Sequence, residues 1–193
     1  LIFKAGASLG SASSGAQLVL DDGIALTCGT SGTATPAVPV LIAAGANVTN
    51  TANALGSGLS GNVTSADSTC VINDNSDFTY GNSLQGFTGT LRVNSGVTRL
   101  SNGGNGATDL GSSTALFVVN GTLVPRNQNT GIHLGALSGT GTLSGSQTTT
   151  FAKTTTYWIG ELNQDCVFGG IFVDNISPNT NVAIVKLGSG TLT

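Results

Sequence analysis

The stretch Leu134–Gly145, LGALSGTGTLSG, carries no catalytic group, yet its reading decides the fold. Gly, Ser and Thr alternate with Leu, so every second side chain is tiny or hydroxylic and the leucines gather on one face. Period two is the mark of a strand, with glycine where the backbone bends or is approached closely. Outward from it the same short unit recurs: FTGTLRVNSG at 87–96, VVNGTLVP at 118–125 and GSGTLT at 188–193. A strand-and-turn unit repeated along one chain predicts a solenoid.

Composition points the same way. Gly, Ser, Thr and Asn number 29, 20, 27 and 17, close to half of the 193 residues. Charged residues are 8% against 39% apolar, too little solvating charge for a disordered chain. One Glu, three Lys, three Arg and no Met leave few helix formers, so the fold class is all-β. The six basic residues, Lys4, Arg92, Arg99, Arg126, Lys153 and Lys186, are scattered, and nucleic-acid binding, which needs a basic face, is not expected. No apolar run reaches bilayer-spanning length, the longest lying near 38–46, so no membrane insertion is expected. The chain begins without Met or signal peptide and is read as mature, processed or excised.

The chain is read as one β-solenoid domain over 1–193, less regular over 1–86 and repeat-like over 87–193. Asp21-Asp22-Gly23 marks a turn, and the run 38–46 fits either a short helix or a buried strand. In FTGTLRV, Phe87, Gly89, Leu91 and Val93 share one face and Thr88, Thr90 and Arg92 the other. At roughly 20–25 residues per coil the chain holds about eight or nine coils, a rod on the order of 40 Å long. Inward Thr, Ser and Asn are expected to form ladders between coils. The competing architecture is an antiparallel β-sandwich of the jelly-roll kind.

FTGTLRVNSGVTRL, DLGSSTALFVVNGTL, HLGALSGTGTLSGS, TTTYWIGEL with CVFGGIF, and VKLGSGTLT, in that order over about 87–193, resemble the autotransporter-associated β-strand repeat of bacterial surface proteins. The resemblance implies a right-handed parallel β-helix, secreted and displayed at a bacterial surface, with no enzymatic activity of its own and no cofactor.

Few side chains suggest chemistry. His133, the only histidine, has no G-x-S-x-G elbow to serve and reads as an exposed strand-end residue. Asp74 and Asp77, in the turn NDNSD, are candidate Ca²⁺ ligands, with an Asx-rich turn as the plainer reading. Cys28 and Cys70 are the candidate disulfide, which leaves Cys166 over; three buried free thiols are the alternative. Alternation in TTTYWIGEL sets Trp158 opposite Tyr157 and Ile159, so inward Tyr157 and Ile159 would leave Trp158 to stack on a glycan or a neighbouring molecule. SGTGTLSG lacks the Lys of a phosphate loop.

A solenoid leaves an open edge at each end. Leu1, Ile2 and Phe3 are apolar at once, and Leu192 and Thr193 stop inside a motif. The chain is therefore either a segment of a longer protein or, as preferred, a subunit that self-associates through these residues. The function expected is a non-enzymatic extracellular subunit of a surface fibre or matrix. An adhesin segment binding glycan or host surface is the alternative, and a polysaccharide lyase or hydrolase ranks behind both.

Overall fold

The computed structural model describes residues 1–3, 15–29, 37–52, 57–101, 109–126, 131–146, 153–174 and 180–193. The long sheet takes β1 (Ile2–Phe3), β3 (Ala25–Cys28), β5 (Asn47–Ala52), β8 (Val71–Asp74), β10 (Thr90–Val93), β12 (Leu110–Val119), β14 (Gly131–Ser138), β16 (Lys153–Ile159) and β18 (Thr180–Lys186), in that spatial order. A second sheet stacks β6 (Gly58–Leu59), β9 (Phe78–Tyr80), β11 (Val97–Leu100), β13 (Thr122–Pro125), β15 (Thr142–Ser144) and β17 (Ile171–Val173). The third holds β2 (Leu18–Leu20), β4 (Val40–Ile42) and β7 (Val63–Ser65). The 83–86 segment continues it, since Ser83 and Gly86 accept hydrogen bonds from Val63 N and Ser65 N.

Every strand pairing among the described residues is parallel, and none of these residues is helical. The chain is a β-solenoid, consistent with a β-helix repeat protein, and the antiparallel sandwich is excluded. About six turns carry strands of both larger sheets, against the eight or nine coils expected. The difference lies at the ends, where the long sheet runs on without a described partner in the second. The ambiguous 38–46 run resolves as β4 followed by a turn.

Alternation places the core. Val48, Ile72, Leu91, Phe117 and Leu137 stack in register, one per rung, and all are buried. Each contributes about 1.5–3 kcal/mol by leaving water, and one continuous cluster runs from Leu20 to Ile159. Hydroxyl and amide ladders do form between coils, but several run along the outer surface rather than inside. Thr27 and Thr51 hydroxyls are 3.0 Å apart, Asn73 Nδ2 donates to Asn47 Oδ1 at 2.6 Å, and Asn94 Nδ2 to Asn75 Oδ1 at 2.8 Å.

The recurrent Gly-Thr-Leu unit has a packing cause. Where the chain turns from the long sheet into the second, glycines lie on one another: a Cβ on Gly121 would stand 2.7 Å from Gly96 O. On Gly141 it would stand 2.2 Å from Gly121 O, and on Gly170 2.1 Å from Gly141 O. Each corner admits only hydrogen because the carbonyl of the previous turn fills the space. The Thr and Leu that follow then enter the second sheet in register, Thr122 over Thr142 and Leu123 over Leu143.

Two expectations are corrected here. Cys28, Cys70 and Cys166 are all free thiols. Cys28 pairs in register with Ala52, which is bonded in the next turn to Ser76, whereas Cys70 immediately precedes β8. The two cysteines are therefore about six residues apart along the strand direction, roughly 20 Å, and two rungs apart across it. A disulfide needs Cα atoms within about 7 Å. Burial pushes the Cys28 thiol up to about 12, while the Cys70 thiol donates to Ala43 O at 3.0 Å. Alkylation of the native protein should therefore modify half-buried Cys166 first, with Cys28 and Cys70 reacting only on unfolding. Reductant should leave the melting temperature unchanged; a reductant-sensitive midpoint would restore the bridge.

The Ca²⁺ pair is the second correction. Asp74 points into the core and is fully buried, accepting from Asn50 Nδ2, Tyr80 OH and Thr98 Oγ1. Asp77 Oδ1 accepts from Val97 N at 2.8 Å, tying its turn to the next rung. Alternation sends the first carboxylate inward, and the second serves the backbone, so they do not converge on a shared ion.

Candidate functional site

On β14 the side chains of Ile132 and Leu134 are buried, so His133 between them faces outward. On β16 the same rule buries Tyr157 and Ile159 and turns Trp158 out, as alternation predicts. Parallel register then sets Trp158 directly beside His133. The two rings stack with centroids 4.7 Å apart and planes 27° from parallel. Trp158 is thus half-buried against the imidazole rather than standing free.

Gly160 ends β16 at φ +112°, where a Cβ would strike Leu187 O. That turn, fixed by Gly160 N donating to Leu134 O and Leu162 N to Gly135 O, returns Glu161 to the previous rung. Its Oε2 lies 2.9 Å from His133 Nδ1. An ionised carboxylate only accepts, so Nδ1–H is the donor and a neutral ring presents the Nε2 lone pair outward. Asp109, just before β12, sets its Oδ1 3.8 Å from Nε2, and Gln85 Nε2 donates to Asp109 O at 3.1 Å. These four residues and Ser113, from the irregular stretch of β12 between Ser112 and Leu116, line a shallow cleft of about 340 Å³.

The cleft is lined by polar and titratable residues, carries two carboxylates and no lysine or arginine, and is open to solvent: the Asp109 side chain is 63% exposed and the His133 side chain 26%. An imidazole oriented by a carboxylate is also the arrangement of a general base, but among the described residues no hydrogen bond joins Ser113 to His133. Among those residues, too, no three His, Cys, Asp or Glu side chains are grouped to hold a metal ion. A second cleft of equal volume includes Thr88, Thr90, Thr114, Leu116 and Gln164 in its lining and no titratable side chain.

His133 is therefore no lone strand-end residue; it sits mid-strand, bonded and stacked. Sequence reasoning missed Gln85, Asp109, Ser113 and Glu161. The one available signal was that the chain's sole His, sole Trp and sole Glu fall at 133, 158 and 161.

The self-association residues lie at the ends of the stack. Leu1 and Ile2 are 53% and 71% exposed, while the Phe3 side chain lies outside the described residues. Leu192 is half-buried against the core and bridges to Cys166; Thr193 N donates to Cys166 O. Both are part of the last rung instead of a loose end. Sequence reasoning missed Val19, Val167, Ile171, Ile184 and Val185, which are exposed at the same two ends.

In comparison with known proteins, the chain matches no family model, no curated protein and no solved structure.

Proposed function

We propose that this chain is a non-enzymatic structural β-solenoid of a cell surface, extended by further copies that stack end to end on its terminal rungs. One observation carries the reading. Among the described residues, every large hydrophobic side chain left exposed (Leu1, Ile2, Val19, Val167, Ile171, Ile184 and Val185) belongs to one end of the stack or the other. The described residues of the turns between expose none. Apolar side chains on an open strand edge favour pairing with another edge. Because the strands are parallel, the first edge of one copy continues the last edge of another. That contact is heterologous and does not close, so it grows a filament. The likeness of pattern to autotransporter-associated repeats supports display outside a bacterial cell, with the finer family assignment part of the same proposal.

The test is sedimentation and negative-stain electron microscopy of the purified chain over a range of concentration. Fibres with a regular axial repeat are expected. Ile171→Lys with Ile184→Lys should leave the melting temperature near that of the parent and abolish fibres, since edge lysines block strand addition. A parent that stays monomeric at high concentration, or fibres that persist in the double variant, would overturn the reading.

A further inference from the structure

We infer that the cleft formed by Gln85, Asp109, Ser113, His133 and Glu161 is a saccharide-binding site, independent of the end faces. The argument is one of chemical complement. Its lining holds no aliphatic or aromatic hydrocarbon residue and no lysine or arginine, which disfavours a lipid, an aromatic ligand, a phosphate or an acidic peptide. What the cleft offers is mainly acceptors, the Asp109 and Glu161 carboxylates and the Gln85 amide oxygen, with the His133 imidazole between the two carboxylates.

A ligand for such a lining must bring several donors, and two chemistries do so, a cation and a polyol. A lone cation gains little here. The Asp109 carboxylate is mostly in water, where exposed charge pairs are screened, and among the described residues no three-ligand cluster is grouped to hold a metal. A sugar ring gains from directional bonds that survive in water: neighbouring hydroxyls donate to a carboxylate while the Ser113 hydroxyl and the imidazole meet the others. The imidazole is pre-set for this, held at Nδ1 by Glu161 at 2.9 Å and from its face by Trp158, so little ordering is left to occur on binding.

The chain has one tryptophan, and it stacks on the imidazole, so tryptophan emission excited selectively over the two tyrosines reports on this cleft. Titration with methyl glycosides and short oligosaccharides of neutral hexoses and N-acetylhexosamines should give a saturable change for at least one of them. Asp109→Ala, at an exposed side chain, should weaken that binding on the order of tenfold to a hundredfold, the effect of losing hydrogen bonds to a charged acceptor, and Gln85→Ala, also exposed, by about twofold to tenfold, the effect of losing a neutral one. Gln164→Ala in the second cleft should leave it unchanged. No saturable response to any sugar in the panel, or equal affinity in the Asp109→Ala protein measured by calorimetry, would overturn the site. A response confined to calcium chloride, zinc chloride or ethylammonium would overturn the saccharide assignment in favour of a cation. Fibre-blocking changes at Ile171 and Ile184 should not alter the titration, so this proposal and the filament stand or fall separately.

Discussion

Gly141→Ala is expected to destabilise the protein by about 3 kcal/mol or more, the upper range for forcing volume into a packed site. The added Cβ would lie 2.2 Å from Gly121 O and 2.7 Å from Asn120 C. Both are backbone atoms of the preceding turn, so no side-chain rotation relieves the contact and one rung must lift off the other. For a chain of this size the melting temperature should fall by about 6–12 °C. The control lies nearby: Gly169 is exposed, and its Cβ would meet only Thr140 Cγ2, at 3.8 Å. Gly169→Ala should change stability by less than about 1 kcal/mol, with a small gain from a stiffer unfolded chain as one outcome. Thermal and urea unfolding of the two variants measure the contrast. Equal effects would mean that the stacked glycines serve chain flexibility and not close approach.

That contrast also shows what could be read from sequence. The Gly-Thr-Leu units, the outward Arg92 and the inward Tyr157 were legible because a strand side chain can take only two directions and burial chooses one. The stacking followed from repetition. Which residues meet across turns was not legible, because the offset between register partners varies from 19 residues, Val71 to Thr90, to 29, Thr142 to Ile171. A fixed period would have set His133 against a different residue. Only the irregular stretch of β12 between Ser112 and Leu116 and the Gly160 turn bring Asp109 and Glu161 to the two sides of one imidazole. The same uncertainty misled the cysteine reading: Cys28 and Cys70 fall on nearby coils, but at opposite ends of their strands.

The Asp74 carboxyl should make the solenoid lose stability as pH rises from about 4 to about 6. It occupies an inward position in a column with Leu26, Asn50, Val93 and Val119, where water cannot reach it. Burial pushes it up to about 6 from an ordinary 3.8, although hydrogen bonds from Thr98, Tyr80 and Asn50 pull the other way. The folded state therefore holds this proton over a range where the unfolded chain has released it. Stability from that difference is fully present below about pH 4, declines through about pH 6 and is flat above. Two pH units correspond to about 3 kcal/mol. Asp67, held down at about 2 chiefly by the Thr69 hydroxyl, acts in the opposite sense and in a more acidic window, so the two effects separate. Asp74→Asn keeps the shape but has no proton to lose, and the Thr98 and Tyr80 hydroxyls can turn to accept from its amide. Its unfolding free energy should be level between pH 4 and 6, and at pH 7 it should equal or exceed that of the parent. Asp74→Ala should be less stable than the parent at pH 4, because it strands the buried Tyr80 and Thr98 hydroxyls. Urea unfolding of the three proteins across this range gives the answer. A parent curve that climbs from pH 4 to 6, or a decline that survives in Asp74→Asn, would place the responsible proton on another group.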